Sequence, residues 1–144
     1  MATTQLAIVA AERNVFAGEV DMVLAPSAVG QLGILPRHAP LLTLLVPGTL
    51  HIRQGASERL LAVGGGFLEA DQNHITALVN SAEWAEEVDV TRAESAGERA
   101  RQRLRARDPG TDLVRAEAAL RRSTARLKTV ERVGRTGPRD LNQP

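Results

Sequence analysis

The hydrophobic period of the chain changes once, near Trp84, and that change limits the fold more than any other feature. Before it, apolar residues alternate: Val20, Met22 and Leu24 in "EVDMVLAP", Leu50 and Ile52 in "TLHIRQG", Ile75, Ala77 and Val79 in "HITALVN". A period of two belongs to strands with one buried face. Turn signals separate the runs at Ala17-Gly18, Val29-Gly30, Pro47-Gly48, Gln54-Gly55 and Gln72-Asn73, the pattern of an all-β sandwich or flattened barrel. With Phe16, Phe67 and Trp84 as its aromatic residues, such a core must be aliphatic.

After Trp84 the period becomes helical. Val90, Ala93, Gly97, Ala100 and Leu104 form one stripe; Leu113, Ala116, Leu120, Ser123, Leu127 and Val130 form another. Both are narrow, as in helices that pair. Asp89 is a candidate N-cap, competing with a Thr91-x-x-Glu94 capping box. Asp108-Pro109-Gly110 stops the first helix, and Thr111 or Asp112 caps the second. A short Pro-Gly connection makes the pair an antiparallel hairpin. Gly97 costs about 1 kcal/mol relative to Ala inside a helix. The chain therefore reads as α+β in two parts: an N-terminal all-β sandwich or flattened barrel of short strands over residues 1–86, then a C-terminal two-helix hairpin over 87–133. Residues 134–144, "GRTGPRDLNQP", read as a disordered tail.

Charge divides at the same place. Residues 1–86 carry four Arg against eight Asp/Glu, a net −4, and residues 87–144 carry fourteen Lys/Arg against nine Asp/Glu, a net +5. A basic second half suits nucleic acid, an anionic ligand or an acidic protein surface. Nucleic acid is disfavoured, because single-strand binders add stacking aromatics and this half has none. Without Cys there is no disulfide frame or thiolate metal site. His38, His51 and His74 lack metal-ligand spacing. No Ser/His/Asp set is present, so catalysis is not expected. "MATTQLAIVAAERN" has no basic n-region before a long apolar stretch, and no run approaches the ~20 apolar residues of a membrane span. A cytosolic or peripheral protein is expected.

Two local stretches stand apart. "AVGGGFLEA", Ala62 to Ala70, has the glycines of a phosphate loop but runs into strand-like Phe67-Leu68-Glu69, so a strand kink or bulge is expected. "GILPRHAPLL", Gly33 to Leu42, is neither helix nor central strand: Pro36 and Pro40 donate no hydrogen bond and push their predecessors out of helix.

Read together, "GQLGILPRHAPLLTLLVPGTLHI", "AVGGGFLEA", "VDVTRA" and "RAEAALRRSTARL", in this order and at these separations, resemble the bacterial-type epsilon subunits of the rotary (F-type) ATP synthases. The resemblance covers about residues 5–132. It implies a non-catalytic rotor-stalk subunit whose sandwich sits on the gamma subunit and the c ring, peripheral to the cytoplasmic face of the plasma membrane and without insertion into it. It further implies a hairpin that either folds on the sandwich or extends into the alpha/beta hexamer, where it inhibits ATP hydrolysis. Gln31, Arg37 and His38 become candidate rotor contacts; many family members have Glu where this chain has Gln31. A bend with no contact role is the plain alternative. The alternative function is a free-standing anion- or nucleotide-binding sensor.

The arginines point to a ligand. At about 100° per residue, Arg92, Arg99 and Arg103 share one flank of the first helix, and Arg115, Arg122 and Arg126 repeat the spacing on the second. In an antiparallel pair both flanks fall on one side, and such cations repel unless an anion sits among them. Guanidinium forks suit phosphate oxygens. Nucleotide-binding epsilon subunits resemble this chain at "[I/L]DxxRA", here "VDVTRA": Asp89, Arg92 and Ala93 match, and Val88 is a smaller β-branched substitute. Glu83, Arg122, Arg126 and Arg99 match further. The resemblance implies ATP as a regulatory ligand, its adenine amino group or ribose on Glu83 and Asp89 and its phosphates on the arginines, with no cofactor required. A solvated arginine surface is the alternative.

Overall fold

The computed structural model describes residues 2–136, with side chains for residues 2–133. Eight strands come first: β1 (Thr4–Ala10), β2 (Arg13–Val20), β3 (Met22–Ser27), β4 (Gly30–Ile34), β5 (Leu41–Gln54), β6 (Ser57–Asp71), β7 (His74–Val79) and β8 (Ala82–Trp84). The ladder runs β2-β1-β7-β6-β5-β3-β4, with β8 beside β6. β1 and β7 are parallel, and the other pairs are antiparallel.

Laid flat at about 4.8 Å per strand, the two ends of this ladder would stand roughly 29 Å apart. They do not. Leu6 and Ile8 of β1 share one buried cluster with Val23 of β3, Ile34 of β4 and Ile52 of β5. The Asp21 N–H donates to the Arg53 carbonyl at 2.8 Å, and Gln54 Nε2 to the Glu19 carbonyl at 2.9 Å. The sheet is therefore folded over itself into a flattened sandwich, with β5 and β6, of 14 and 15 residues, passing through both layers.

Both long strands bend at their glycines and proline. Gly65 and Gly66 in β6 have φ of +99° and +144°, and a Cβ on Gly66 would collide with the Leu78 carbonyl oxygen. The glycine run is thus a strand bend. Opposite it, Pro47 and Gly48 lie within β5, so this pair is not a turn; nor is Ala17-Gly18, which lies within β2. A Cβ on Gly48 would come within 2.7 Å of Pro26 Cβ, so the glycine there serves close strand packing. The alternation of Ile75, Ala77 and Val79 holds, as does that of Leu50 and Ile52. That of Met22 and Leu24 is inverted: Val23 and Ala25 are buried, because Asp21 breaks the strand and shifts the parity by one residue.

A 3-10 turn, Ala85–Glu87, leads to α1 (Val90–Ala106) and α2 (Leu113–Thr136). Asp89 caps α1, its Oδ1 accepting from the Arg92 N–H at 3.0 Å, and Asp112 caps α2 through the Arg115 N–H at the same distance. Thr91 and Thr111 are not the caps. Ala93, Gly97 and Ala100 of α1 are buried, as are Ala116 and Ser123 of α2. A Cβ on Gly97 would lie 2.9 Å from Ser123 Oγ, so the glycine costs helix propensity but permits close helix packing. Val90 and Leu113, expected in the stripes, are exposed. α2 also lies along β5 and β6, burying Ala125 and Thr129. Of the expected tail, helix covers 134–136, and residues 137–144 lie outside the described residues. Among the described residues no helix is long and apolar enough to cross a membrane.

Candidate functional site: a charged cleft at the hairpin joint

The 3-10 turn and the Asp89 cap fix where α1 leaves the sandwich, and α2 returns antiparallel beside it. A cleft of about 460 Å³ lies in this joint, lined by Glu83, Glu87, Asp89, Arg92, Arg99 and Arg126, with Ala93 and Ala96 in its wall. Arg126 reaches back to the sandwich, and its Nε donates to Glu83 Oε1 at 2.5 Å. Both side chains are about one-third exposed or less, so this pair is screened less than a surface ion pair. Glu87 is tied across the joint to Arg13 at 3.4 Å, and Glu86 to Arg59 at 3.5 Å. Arg59 also lies 3.6 Å over the Trp84 ring, a cation–π contact that steadies the strand carrying Glu83.

The sequence-derived residues divide. Glu83, Asp89, Arg92, Ala93, Arg99 and Arg126 share the cleft. Arg122 stands just outside it, against Gly64 and Ser81, with Arg126 as common neighbour. Val88 does not line it; it ends the 3-10 turn, its N–H donating to the Ala85 carbonyl. Arg103 and Arg115 lie farther along, around a second depression near the interhelical turn. Glu87 was missed: it lies in a three-residue turn, where neither the period of two nor that of 3.6 places a side chain.

The arginines are not an unbalanced cluster. Three carboxylates, Glu83, Glu87 and Asp89, face three guanidinium groups, Arg92, Arg99 and Arg126, so the cleft is neutral when Arg122 is left aside. It offers forked donors for phosphate oxygens at the helices and acceptors for amino or hydroxyl donors at the 3-10 turn.

The other three candidates are not gathered into one place. Pro36 and Arg37 form a turn in which the His38 N–H donates to the Leu35 carbonyl at 3.2 Å and Arg37 has φ +62°, the type II pattern of Pro followed by positive φ. The Arg37 N–H donates to Asn73 Oδ1 at 2.9 Å, pinning this loop to the β6–β7 turn. Gln31, in β4 opposite Pro26, instead lines a groove beneath α2.

A third surface is apolar. Leu44, Phe67 and Leu78 are cross-strand neighbours on β5, β6 and β7, and each is more than half exposed, at 53%, 53% and 54%. Leu42 continues the strip at 72% exposure. A contiguous strip of large apolar side chains marks a binding surface more often than does a scattered one.

The fold and cleft thus define a β-sandwich that carries a docked two-helix arm with a charged joint. Residues 3–85 match the family described as "ATP synthase, Delta/Epsilon chain, beta-sandwich domain", and residues 86–131 match "ATP synthase, Delta/Epsilon chain, long alpha-helix domain". The ATP synthase epsilon chain of Herpetosiphon aurantiacus is 52% identical over 127 residues, 88% of this chain and 93% of the relative. That of Desulforamulus reducens is 48% identical over 132 residues, 91% of this chain and 100% of the relative. A chain in the cryo-EM structure of the Euglena gracilis mitochondrial ATP synthase (OSCP/F1/c-ring) shares the fold, with a TM-score of 0.78 at 21% identity, over 89% of this chain and 81% of that one. The chain belongs to the ATP synthase delta/epsilon family, among the bacterial epsilon chains.

Proposed function

We propose that the protein is a non-catalytic rotor subunit of a proton-translocating ATP synthase, peripheral to the cytoplasmic face of the plasma membrane. Its sandwich joins the gamma subunit to the c ring, with Gln31, Arg37 and His38 as candidate rotor contacts. Its hairpin inhibits ATP hydrolysis when it undocks and extends into the alpha/beta hexamer. ATP lodged in the joint cleft, with Arg92, Arg99, Arg122 and Arg126 on its phosphates and Glu83 and Asp89 on its adenine or ribose, holds the hairpin docked and relieves inhibition, since a ligand favours the state that binds it. Val88 and Ala93 complete the motif.

The observation that carries the rotor reading is the exposed strip Leu44–Phe67–Leu78: it lies on a strand face away from the sandwich core and stays more than half exposed although α2 borders it at Leu44 and Phe67. A free-standing sensor has no use for it. The test is co-elution with gamma. The protein should elute with gamma, and Phe67→Asp combined with Leu44→Asp should weaken the complex at least tenfold, since each buried large side chain is worth about 1.5–3 kcal/mol. Elution apart from gamma, or indifference to both substitutions, would return the sensor reading.

A further inference from the structure

α2 carries a second cationic rail. Arg121, Lys128 and Arg132 recur at the same spacing as Arg115, Arg122 and Arg126, but on the opposite side of the stripe that faces the sandwich. They border a groove of about 410 Å³ between α2 and the sandwich, separate from the nucleotide cleft and sharing none of its lining residues. Pro26, Gln31, Pro47, Gly48 and Thr49 form its sandwich wall, and Leu120, Thr124 and Ala125 its helix wall. The buried seam between these walls is closed by the Thr49 and Thr129 hydroxyls, 2.7 Å apart.

Among the described residues no acidic side chain lines this groove, whereas three line the cleft. Arg121 is engaged by Glu117 at 3.2 Å. Among the described residues, Lys128 has no hydrogen bond or ion pair, and it is exposed at the groove's edge. The groove therefore combines an apolar trough with one uncommitted cation. Phe16, Phe67 and Trp84, the chain's aromatic residues, do not line it, so it lacks the stacking surface on which a nucleobase gains affinity. Pro and Leu walls suit an alkyl chain, and a single uncommitted ammonium suits a single negative charge.

We infer that this groove binds a medium-chain alkyl carboxylate, with its head on Lys128 and its chain between Pro26, Pro47 and Leu120. Such a ligand touches α2 and the sandwich together. Occupancy therefore stabilises the docked hairpin, growing with the logarithm of one plus ligand concentration over Kd, independently of the joint cleft.

The test is titration of the isotope-labelled full chain with decanoate below its micelle concentration, followed by NMR and by hydrogen exchange of α2. The expected result is saturable shifts at Gly48, Thr49 and Thr124 with slowed exchange along α2. Lys128→Ala should weaken binding about tenfold, the worth of one charge-assisted hydrogen bond, and Arg101→Ala, removing an equal charge from α1, should not. Equal affinity for 1-decanol or for inorganic phosphate would overturn the assignment, as would equal binding by Lys128→Ala. Shifts centred on Leu44, Phe67 and Leu78, or on Arg92 and Arg99, would overturn it too, by placing the ligand on the apolar strip or in the cleft.

Discussion

Arg122 and Arg126 are one helical turn apart on α2, yet their situations differ. Arg126 already spends its Nε on Glu83 and thereby ties α2 to the sandwich; Arg122 has no such partner among the described residues, and its aliphatic stem lies over Gly64, where an added Cβ would be 3.4 Å from Cδ. The two should therefore separate by experiment. Arg122→Ala should weaken ATP binding roughly ten- to hundredfold in calorimetry on the isolated chain, the range for lost hydrogen bonds to a charged group, and leave α2 docked. Arg126→Ala should weaken ATP binding and also speed hydrogen exchange in α2, because it removes a docking contact. If neither substitution alters the heat of ATP binding at millimolar ATP, the cleft is not a nucleotide site. Two glycines act at the same scale: Gly66, in the expected strand kink, and Gly97, a cost to its helix, are each where another backbone or side chain comes too close for a Cβ.

At the scale of elements, the sandwich holds its own core and the hairpin does not. The buried cluster from Leu6 to Trp84 lies wholly within the first unit. The contacts that bury α1 and α2 are made by small residues: Ala93, Gly97, Ala100, Ala116, Ser123, Ala125 and Thr129. Each contributes little apolar area, and most helical stability in proteins comes from tertiary packing of an apolar face. Residues 1–87 expressed alone should therefore give a dispersed NMR spectrum and a cooperative melt, and should still bind gamma. Residues 88–144 alone should be mostly unfolded by circular dichroism. Aggregation of the first fragment would mean that α2 supplies more than a cover for β5 and β6. The same chemistry suits a detachable arm: the interface is thin in apolar area and includes the Thr49–Thr129 hydroxyl pair and the Glu83–Arg126 ion pair, groups that water can satisfy once the arm leaves.

For the whole molecule, the division of charge carries the prediction. Under the proposed function the arm that undocks is the basic half, net +5 over residues 87–144, so its attraction to an acidic surface on the hexamer should fade as salt is raised past ~0.1 M, where the Debye length falls to about 10 Å. Deleting residues 88–144 should raise ATP hydrolysis by the assembled complex several-fold at low salt and low ATP, with assembly intact by gel filtration. The gain should shrink at high salt. An unchanged rate at low salt would remove the regulatory role of the hairpin while leaving the rotor role in place.

Features that depend on period and spacing are legible in the residues alone. The switch near Trp84 separated sandwich from hairpin, and 100° per residue was enough to put Arg92 and Arg99 on one flank of α1, because helix geometry converts sequence number directly into direction. Period and spacing fail where parity or packing intervenes. One residue, Asp21, inverted the facing of Met22–Ala25; Pro47-Gly48 looked like a turn and proved a bend, since only the facing glycines of β6 and the close approach of Pro26 distinguish the two. Tertiary structure alone decided that Glu83 and Arg126, 43 residues apart, would pair, that Arg122 would stand beside the cleft rather than in it, and that Gln31 would leave the Arg37–His38 loop for the groove under α2. Those outcomes depend on which face of α2 meets the sandwich. Ala125 and Thr129 set that face, and side chains so small leave little trace in a hydrophobic pattern.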